Sequence, residues 1–249
     1  MDLGRFFWLA ALALVLPGLA AAQEPQKPLG VIELFTSQGC SSCPPADAVF
    51  ADLAREGSVV ALAYHVNYWD YLGWQDTLGS AEGTQRQYDY MKSFGTRSVY
   101  TPQAVINGRA HVNGAIRSEV SDALEGMAKA GIGMKVGVSA TRSGDSVVIQ
   151  VDSANEPAEE ARVMLVYYDQ VKPVVITRGE NTGKTVSYWN AVKEIQTAGM
   201  WRGGPARFEM PVSDMARKGG NCAVLLQSAG KDGTPGPILG ATVVKLPSM

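Results

Sequence analysis

The chain has 249 residues, 46% of them hydrophobic and 18% charged, with 27 glycines and 13 prolines, a globular composition that excludes a fibre and a disordered chain. Lysine and arginine number 22 against 24 aspartates and glutamates, so no positive excess exists to neutralise a phosphate backbone, and nucleic acid is not an expected partner. Three cysteines and two histidines cannot build a disulfide-rich scaffold or a common four-ligand zinc site, which leaves redox chemistry at a cysteine pair as the chemistry to look for.

Residues 6 to 22 carry no charge, follow Arg5 and end in Ala20-Ala21-Ala22. A basic start, an apolar middle and a small-residue exit make a secretory signal peptide, so residues 1 to 22 are expected to be cleaved and the mature chain to be periplasmic or secreted. The stretch is shorter than the about 20 residues a membrane span needs and is interrupted by Pro17-Gly18, so no span is expected after cleavage. Export matters because an oxidising compartment lets a cysteine pair rest as a disulfide.

From about residue 30 to residue 131 short apolar runs alternate with amphipathic stretches, the pattern of strands interleaved with helices. This first domain, 23–131, reads as α/β. A strand is expected at 31–36, a helix at 45–55 with Val49, Phe50 and Leu53 on one face and Gly57 as its stop, and a buried strand at 58–66. There follow a helix between Gly83 and Phe94, a strand at 104–106, a turn at Asn107-Gly108 and a strand through Val112. A last helix has Ser118 as its cap, Val120, Leu124 and Met127 at helical spacing, and Gly131 as its end. Beyond Gly131 the period changes to two. A hairpin turn is expected at Ser143-Gly144-Asp145, with further strands at 163–168, 207–210, 223–227 and 238–244. The second domain, 132–249, is therefore expected to be antiparallel β, a small sandwich against the first domain, with 189–195 as its one candidate helix.

Cys40-Ser41-Ser42-Cys43 falls between the first strand and the first helix, where backbone N–H groups and the helix dipole favour a thiolate. Cys40, nearer the turn, is the expected exposed nucleophile, and Cys43 the thiol that resolves a mixed disulfide. The alternative is a static staple, although so short a loop constrains the unfolded chain weakly. Pro44-Pro45 bias their predecessors away from helical backbone, so the helix is expected to begin at Pro45, which leaves Cys40 about a turn from the dipole.

Other residues carry two readings each. Glu33 in the first strand is a candidate proton shuttle or a carboxylate paired elsewhere. His65 ends the second strand and, with Cys40 and Cys43, could complete a copper site of soft ligands; otherwise it is a hydrogen-bonded histidine near the surface. Tyr64, Tyr68, Trp69, Tyr71 and Trp74 crowd one segment, with Tyr68, Trp69 and Trp74 as a candidate substrate groove or as filling between the domains. The run from Gly179 to Thr185 has three residues between its glycines where a phosphate loop needs four, and is read as a polar turn. Cys222 opens an apolar strand and is expected to pack as a small hydrophobe.

Leu34-Phe35-Thr36 ahead of the cysteine pair, Tyr100-Thr101-Pro102-Gln103-Ala104-Val105-Ile106-Asn107-Gly108, and His111-Val112-Asn113-Gly114 together resemble glutaredoxins and the wider thioredoxin-fold superfamily. The resemblance implies a thioredoxin-like first domain, a cis bond between Thr101 and Pro102, and a position for both beside the cysteines. Ala115-Ile116-Arg117 lacks the acidic pair with which glutaredoxins help hold glutathione, so glutathione specificity is not expected. The segment 31–47, the stretch from His65 to Trp74, and Arg178-Gly179-Glu180-Asn181 resemble a bacterial secreted family catalogued as domain of unknown function 1223. That implies an appended β domain and supplies no established substrate. The expected function is an exported thiol-disulfide oxidoreductase acting on protein or small-molecule thiols, with no cofactor. A copper-binding or copper-delivery protein using Cys40, Cys43 and His65, and a non-catalytic binding module with a structural disulfide, are the alternatives.

Overall fold

Every residue of β1 (Val31–Thr36) and β2 (Val60–His65) is buried, as parallel strands covered on both faces require, and the two pair in parallel from Val31↔Val60 to Thr36↔His65. The structure is a computed structural model that describes residues 27–154, 160–219, 221–230 and 232–244; the expected leader, 1–22, lies outside the described residues. Helix α1 (Pro44–Glu56) crosses between the two strands and stops at Gly57, whose φ of 67° is the left-handed conformation that closes a helix. Helix α2 (Ala81–Ser93) starts where the Ser80 hydroxyl accepts the Gly83 N–H. Strand β3 (Gln103–Ile106) runs antiparallel to β1 and to β4 (Ala110–Asn113). Their turn has φ of 50° at Asn107 and 62° at Gly108, the paired positive values of a type I′ hairpin.

Helix α3 (Arg117–Lys129) follows Ile116, and Ser118 is not its cap. Asn113 explains the difference: its carbonyl accepts Ile116 N and its side chain accepts Ala115 N, which closes the preceding turn before Ser118 is reached.

The strands of the second half divide. A three-stranded antiparallel sheet holds β5 (Val138–Ser143), β6 (Ser146–Val151) and β9 (Ala206–Pro211) in the order β5-β6-β9; its first turn is at Gly144, as the spacing predicts. By contrast β7 (Ala161–Val175), β8 (Thr185–Trp201), β10 (Cys222–Ala229) and β11 (Pro235–Val244) continue the first sheet. Its order is β11-β10-β7-β8-β2-β1-β3-β4, eight strands, with β8 meeting β2 in parallel at Ala63↔Ala191. A larger mixed α/β sheet is thus followed by a smaller antiparallel one.

The candidate helix at 189–195 is strand. Trp189, Val192 and Ile195 recur at a helical interval because alternation is broken in β8: Asn190 has φ of 46°, and the pairing with β7 shifts between Tyr167 and Tyr168.

Strand alternation sorts the core into layers. Ile32, Leu34, Ala46, Phe50 and Leu53 pack between the sheet and α1. On the opposite face Phe35, Leu62 and Tyr64 join Met164, Val166 and Leu225 in one cluster, so apolar burial runs across the β2–β8 join. Val163, Leu165 and Tyr167, alternate residues of β7, pack against Val147 and Ile149 of the small sheet. Among the described residues no helix is long and apolar enough to cross a membrane.

Candidate functional site

The chain leaves β1 at Thr36 and enters α1 at Pro44, with Cys43 as the helix N-cap. The helix begins one residue earlier than the prolines suggest, and Cys40 stays outside it. Cys40 and Cys43 form a disulfide. Both sulfurs are covered, with Cys40 2% and Cys43 0% exposed, so Cys40 is not the exposed sulfur expected of a turn residue; Ser41 and Ser42 are the exposed members of the motif.

Thr101, just before β3, reaches the Cys40 sulfur, and the segment after β2 packs on the loop beside it. Thr101 Oγ1 donates to Cys40 Sγ at 3.2 Å and accepts from Trp69 Nε1 at 2.8 Å. Trp69 also presses on the loop, since a Cβ placed on Gly39 would meet Trp69 Cβ at 3.1 Å and its carbonyl oxygen at 3.2 Å. Tyr71, 76% exposed, stacks on Trp69 with ring centroids 6.5 Å apart. Tyr68 donates to Gln87, which holds the Tyr100 carbonyl. Pro102 is buried, its bond to Thr101 is cis, and its carbonyl accepts Gly114 N. The structure therefore brings Thr101 to Cys40, with Pro102 next to it along the chain and Trp69 hydrogen-bonded to it, while Tyr68 turns to Gln87.

Beneath the pair lies a cluster of titratable groups. Asp47 accepts from Thr36 Oγ1 at 2.7 Å through Oδ1, while its Oδ2 is buried with no partner. His65, beside Thr36 in the strand register, has Nδ1 2.9 Å from Asp76 Oδ2, and its Nε2 is likewise buried without a partner. Asp76 also accepts from Gln38 N and Leu78 N. Burial pushes the Asp47 carboxyl up to about 7, against the pull of His65 and the Thr36 bond, with Asp76 adding to the rise. Burial alone would raise Asp76 too, but His65 and the backbone donors hold it below its usual value.

A pH dependence follows. The unfolded Asp47 titrates near 3.8 and the folded one near 7, so between those values the folded chain keeps a proton that the unfolded chain has released. Its contribution to stability falls as pH rises through that window and is flat above it. Urea midpoints measured between pH 4 and 8 are expected to show this loss in the wild type. In Asp47→Asn the loss should be absent and the stability at pH 8 higher, by on the order of 2–4 kcal/mol.

A family model described as protein of unknown function (DUF1223) matches residues 31–227. The chain belongs to the DUF1223 family. It is 43% identical to protein AGR_C_4864 from Agrobacterium tumefaciens, whose crystal structure matches with a TM-score of 0.79 over 90% of this chain and 100% of that one. HBP35 of Porphyromonas gingivalis matches at 13% identity and a TM-score of 0.57, over 88% of this chain and 76% of that one, a likeness of fold alone. No curated protein matches the chain.

In this DUF1223 chain the turn between β7 and β8, whose sequence almost spells a phosphate loop, serves the cysteine loop. Asn181 Nδ2 donates to the carbonyls of Gln38 and Cys40, both at 2.9 Å, and Lys184 Nζ in turn bonds Asn181 Oδ1. Trp74 Nε1 donates to Gln38 Oε1, and a Cβ on Gly179 would meet Trp74 at 3.1 Å. Trp74 thus holds the β7–β8 turn and the cysteine loop together. Gln38, Asp76 and Asn181 carry no chemical signature in the sequence. Asp47 had one, as a carboxylate four residues past Cys43 on the helix face that also buries Ala46 and Phe50.

Glu33 lies elsewhere. It shares its side of β1 with Phe35, across the sheet from Thr36 and α1, and bonds Arg86 Nε at 2.6 Å and the Tyr90 hydroxyl. His65 is buried rather than near the surface, and its ring engages Asp76 and, edge-on, Tyr188. Among the described residues no group of three or more His, Cys, Asp or Glu is arranged to hold a metal ion. Cys222 packs in the core, where burial pushes its thiol up to about 12.

Proposed function

We propose that this DUF1223 chain is an exported thiol-disulfide oxidoreductase, in which Cys40 exchanges electrons with protein or small-molecule thiols and Cys43 resolves the mixed disulfide. The observation that carries the reading is the Thr101 hydroxyl aimed at Cys40 Sγ from the segment that holds Pro102. A donor at that sulfur stabilises the thiolate that Cys40 presents once the pair is fully reduced. The helix supplies little of this: Pro44 and Pro45 have no N–H, and the N–H groups of Ala46 and Asp47 are bonded to the Cys43 carbonyl. No cofactor is needed, because the S–S bond itself holds the two electrons' worth of oxidising power. In this reading residues 23–131 are a thioredoxin-like domain and 132–249 a β-rich companion whose turn braces the loop, and the leader read at 1–22 sends the chain to the periplasm or outside.

The deciding measurement is the reduction potential of the Cys40–Cys43 pair. Exchange proteins lie between about −120 and −270 mV, and a value there supports the reading; a value below about −300 mV would place the pair among structural disulfides. That second outcome has an observation in its favour, the burial of both sulfurs, and would make the chain a binding module.

Trp69 packs on the cysteine loop and holds the Thr101 hydroxyl that lies against Cys40. Trp69→Ala is expected to speed reduction of the disulfide by a small dithiol several-fold, because without the indole the Thr101 hydroxyl is no longer held against Cys40. Unchanged rates would show that Ser41 and Ser42 already offer a path to the sulfur.

A further inference from the structure

A disulfide that opens at Cys40 leaves a negative charge on Cys43, a sulfur to which no side chain or N–H group among the described residues donates a hydrogen bond. Cys43 is 0% exposed. The first two residues of α1 are prolines without N–H groups, and those of Ala46 and Asp47 are spent on the Cys43 carbonyl. An anionic sulfur buried without a donor is costly, and a proton is the remaining way to neutralise it.

We propose that Asp47 exchanges that proton with Cys43, through the oxygen Oδ2, each time the disulfide opens or closes. The inference rests on the oxidoreductase reading above. Asp47 stands one turn after Cys43 on the same buried face of α1, its own N–H bonded to the Cys43 carbonyl at 3.0 Å. Helical side chains lean towards the N-terminus, which tips the carboxyl towards Cys43. Thr36 occupies Oδ1 at 2.7 Å and leaves Oδ2 buried and unpartnered. The groups that face Asp47 from other elements are Thr36 of β1, His65 of β2, Asp76 from the segment before α2, and Tyr188 of β8. His65 has the second orphaned atom of the cluster, Nε2, and Asp76 fixes its ring through Nδ1. An Asp47 carboxylate is thereby left next to a pinned imidazole rather than alone in the core.

The step balances as follows. A substrate thiolate attacks Cys40 Sγ, a new S–S bond forms, and the electron pair of the old one leaves on Cys43 Sγ. Asp47, protonated, gives its proton to that sulfur and becomes a carboxylate. In return the carboxylate takes the proton of the Cys43 thiol, the Cys43 thiolate attacks Cys40 Sγ in the mixed disulfide, and the substrate departs as a thiolate. A carboxyl brought up to about 7 by burial serves both directions near neutrality, since it is available in either form.

The test is stopped-flow reduction of the full chain by a dithiol, with rates divided by the fraction of reductant present as thiolate. The wild-type rate is expected to fall through a step near pH 7 as Asp47 loses its proton. Asp47→Asn should lack the step and be about 100-fold slower at pH 6. Thr36→Val removes the bond that draws the carboxyl down, so its step should move to higher pH; this variant also decides the matter if Asp47→Asn does not fold. Superimposable profiles for wild type and Asp47→Asn, or an unmoved step in Thr36→Val, would overturn the proton exchange while leaving the oxidoreductase reading intact. A wild type that neither reduces nor oxidises a model peptide at any pH would overturn that reading instead.

Discussion

Replacing Cys43 with serine is expected to leave substrate covalently attached to Cys40. The nucleophile assignment rests on geometry: Thr101 Oγ1 donates to Cys40 Sγ at 3.2 Å and the Ser42 hydroxyl lies 3.4 Å from it, whereas Cys43 is fully buried at the helix cap. Attack on the disulfide therefore falls on Cys40, and release of the adduct needs the Cys43 thiol. Without that thiol the mixed disulfide should accumulate to near stoichiometry, visible as a mass increment that a reductant removes. Cys40→Ser should form no such adduct with the same peptide disulfide, and its exchange rate should fall to that of the uncatalysed reaction. Equal trapping by both variants would remove the distinction between the two sulfurs. No trapping by either would turn the assignment to a structural disulfide.

Glu33→Ala should cause a loss of stability far larger than a surface or loop substitution causes. Glu33 is 0% and Arg86 9% exposed, and they are joined at 2.6 Å. Arg86 Nη2 donates to Gln227 Oε1 at 2.9 Å, Gln227 Nε2 donates to the Tyr90 hydroxyl and to the Gly236 carbonyl, and Tyr90 donates to Glu33. The guanidinium also lies over the Tyr64 and Tyr90 rings at 5.4 and 5.1 Å. The network ties β1 and α2 to β10, because Gln227 completes the hydrogen bonding of Arg86 and Tyr90 from the second half. Removing one member strands a buried guanidinium, a change that costs about 3–5 kcal/mol. Urea unfolding should show that loss. The double variant Glu33→Leu, Arg86→Met, which removes both charges, should recover much of it. Per folded molecule, exchange at Cys40 should be unchanged in Glu33→Ala, because the carboxylate lies across the sheet from α1. A selective fall in exchange rate would restore Glu33 as a proton carrier.

The local features were legible in the order of residues along the chain. Alternation of strand and helix up to residue 131, the left-handed stop at Gly57, the Asn107-Gly108 turn and the cysteine pair on a strand-to-helix turn all depend on residues within a few positions of one another. Periodicity and turn chemistry report such features directly. The placement of Thr101 and Pro102 beside Cys40 was legible only through the family resemblance, since the hydrogen bond that joins them spans 61 positions.

Tertiary structure alone decided the rest. Whether Glu33 faced α1 or α2 was set by the register of β1 in its sheet, and a strand pattern with every residue buried carries no parity signal. The second half extends the first sheet because β8 finds β2 at Ala63↔Ala191, a parallel pairing that neither strand announces. Asn181 reaches Cys40 across 141 positions. A bulge opposite Tyr168 and a left-handed Asn190 made 189–195 imitate a helix. Asp47 took its chemical character from burial, which removes the water that would otherwise level its charge, and burial is a property of the assembled layers. Local propensity can be read from neighbours along the chain; desolvation and pairing depend on neighbours in space, and only the folded chain supplies those.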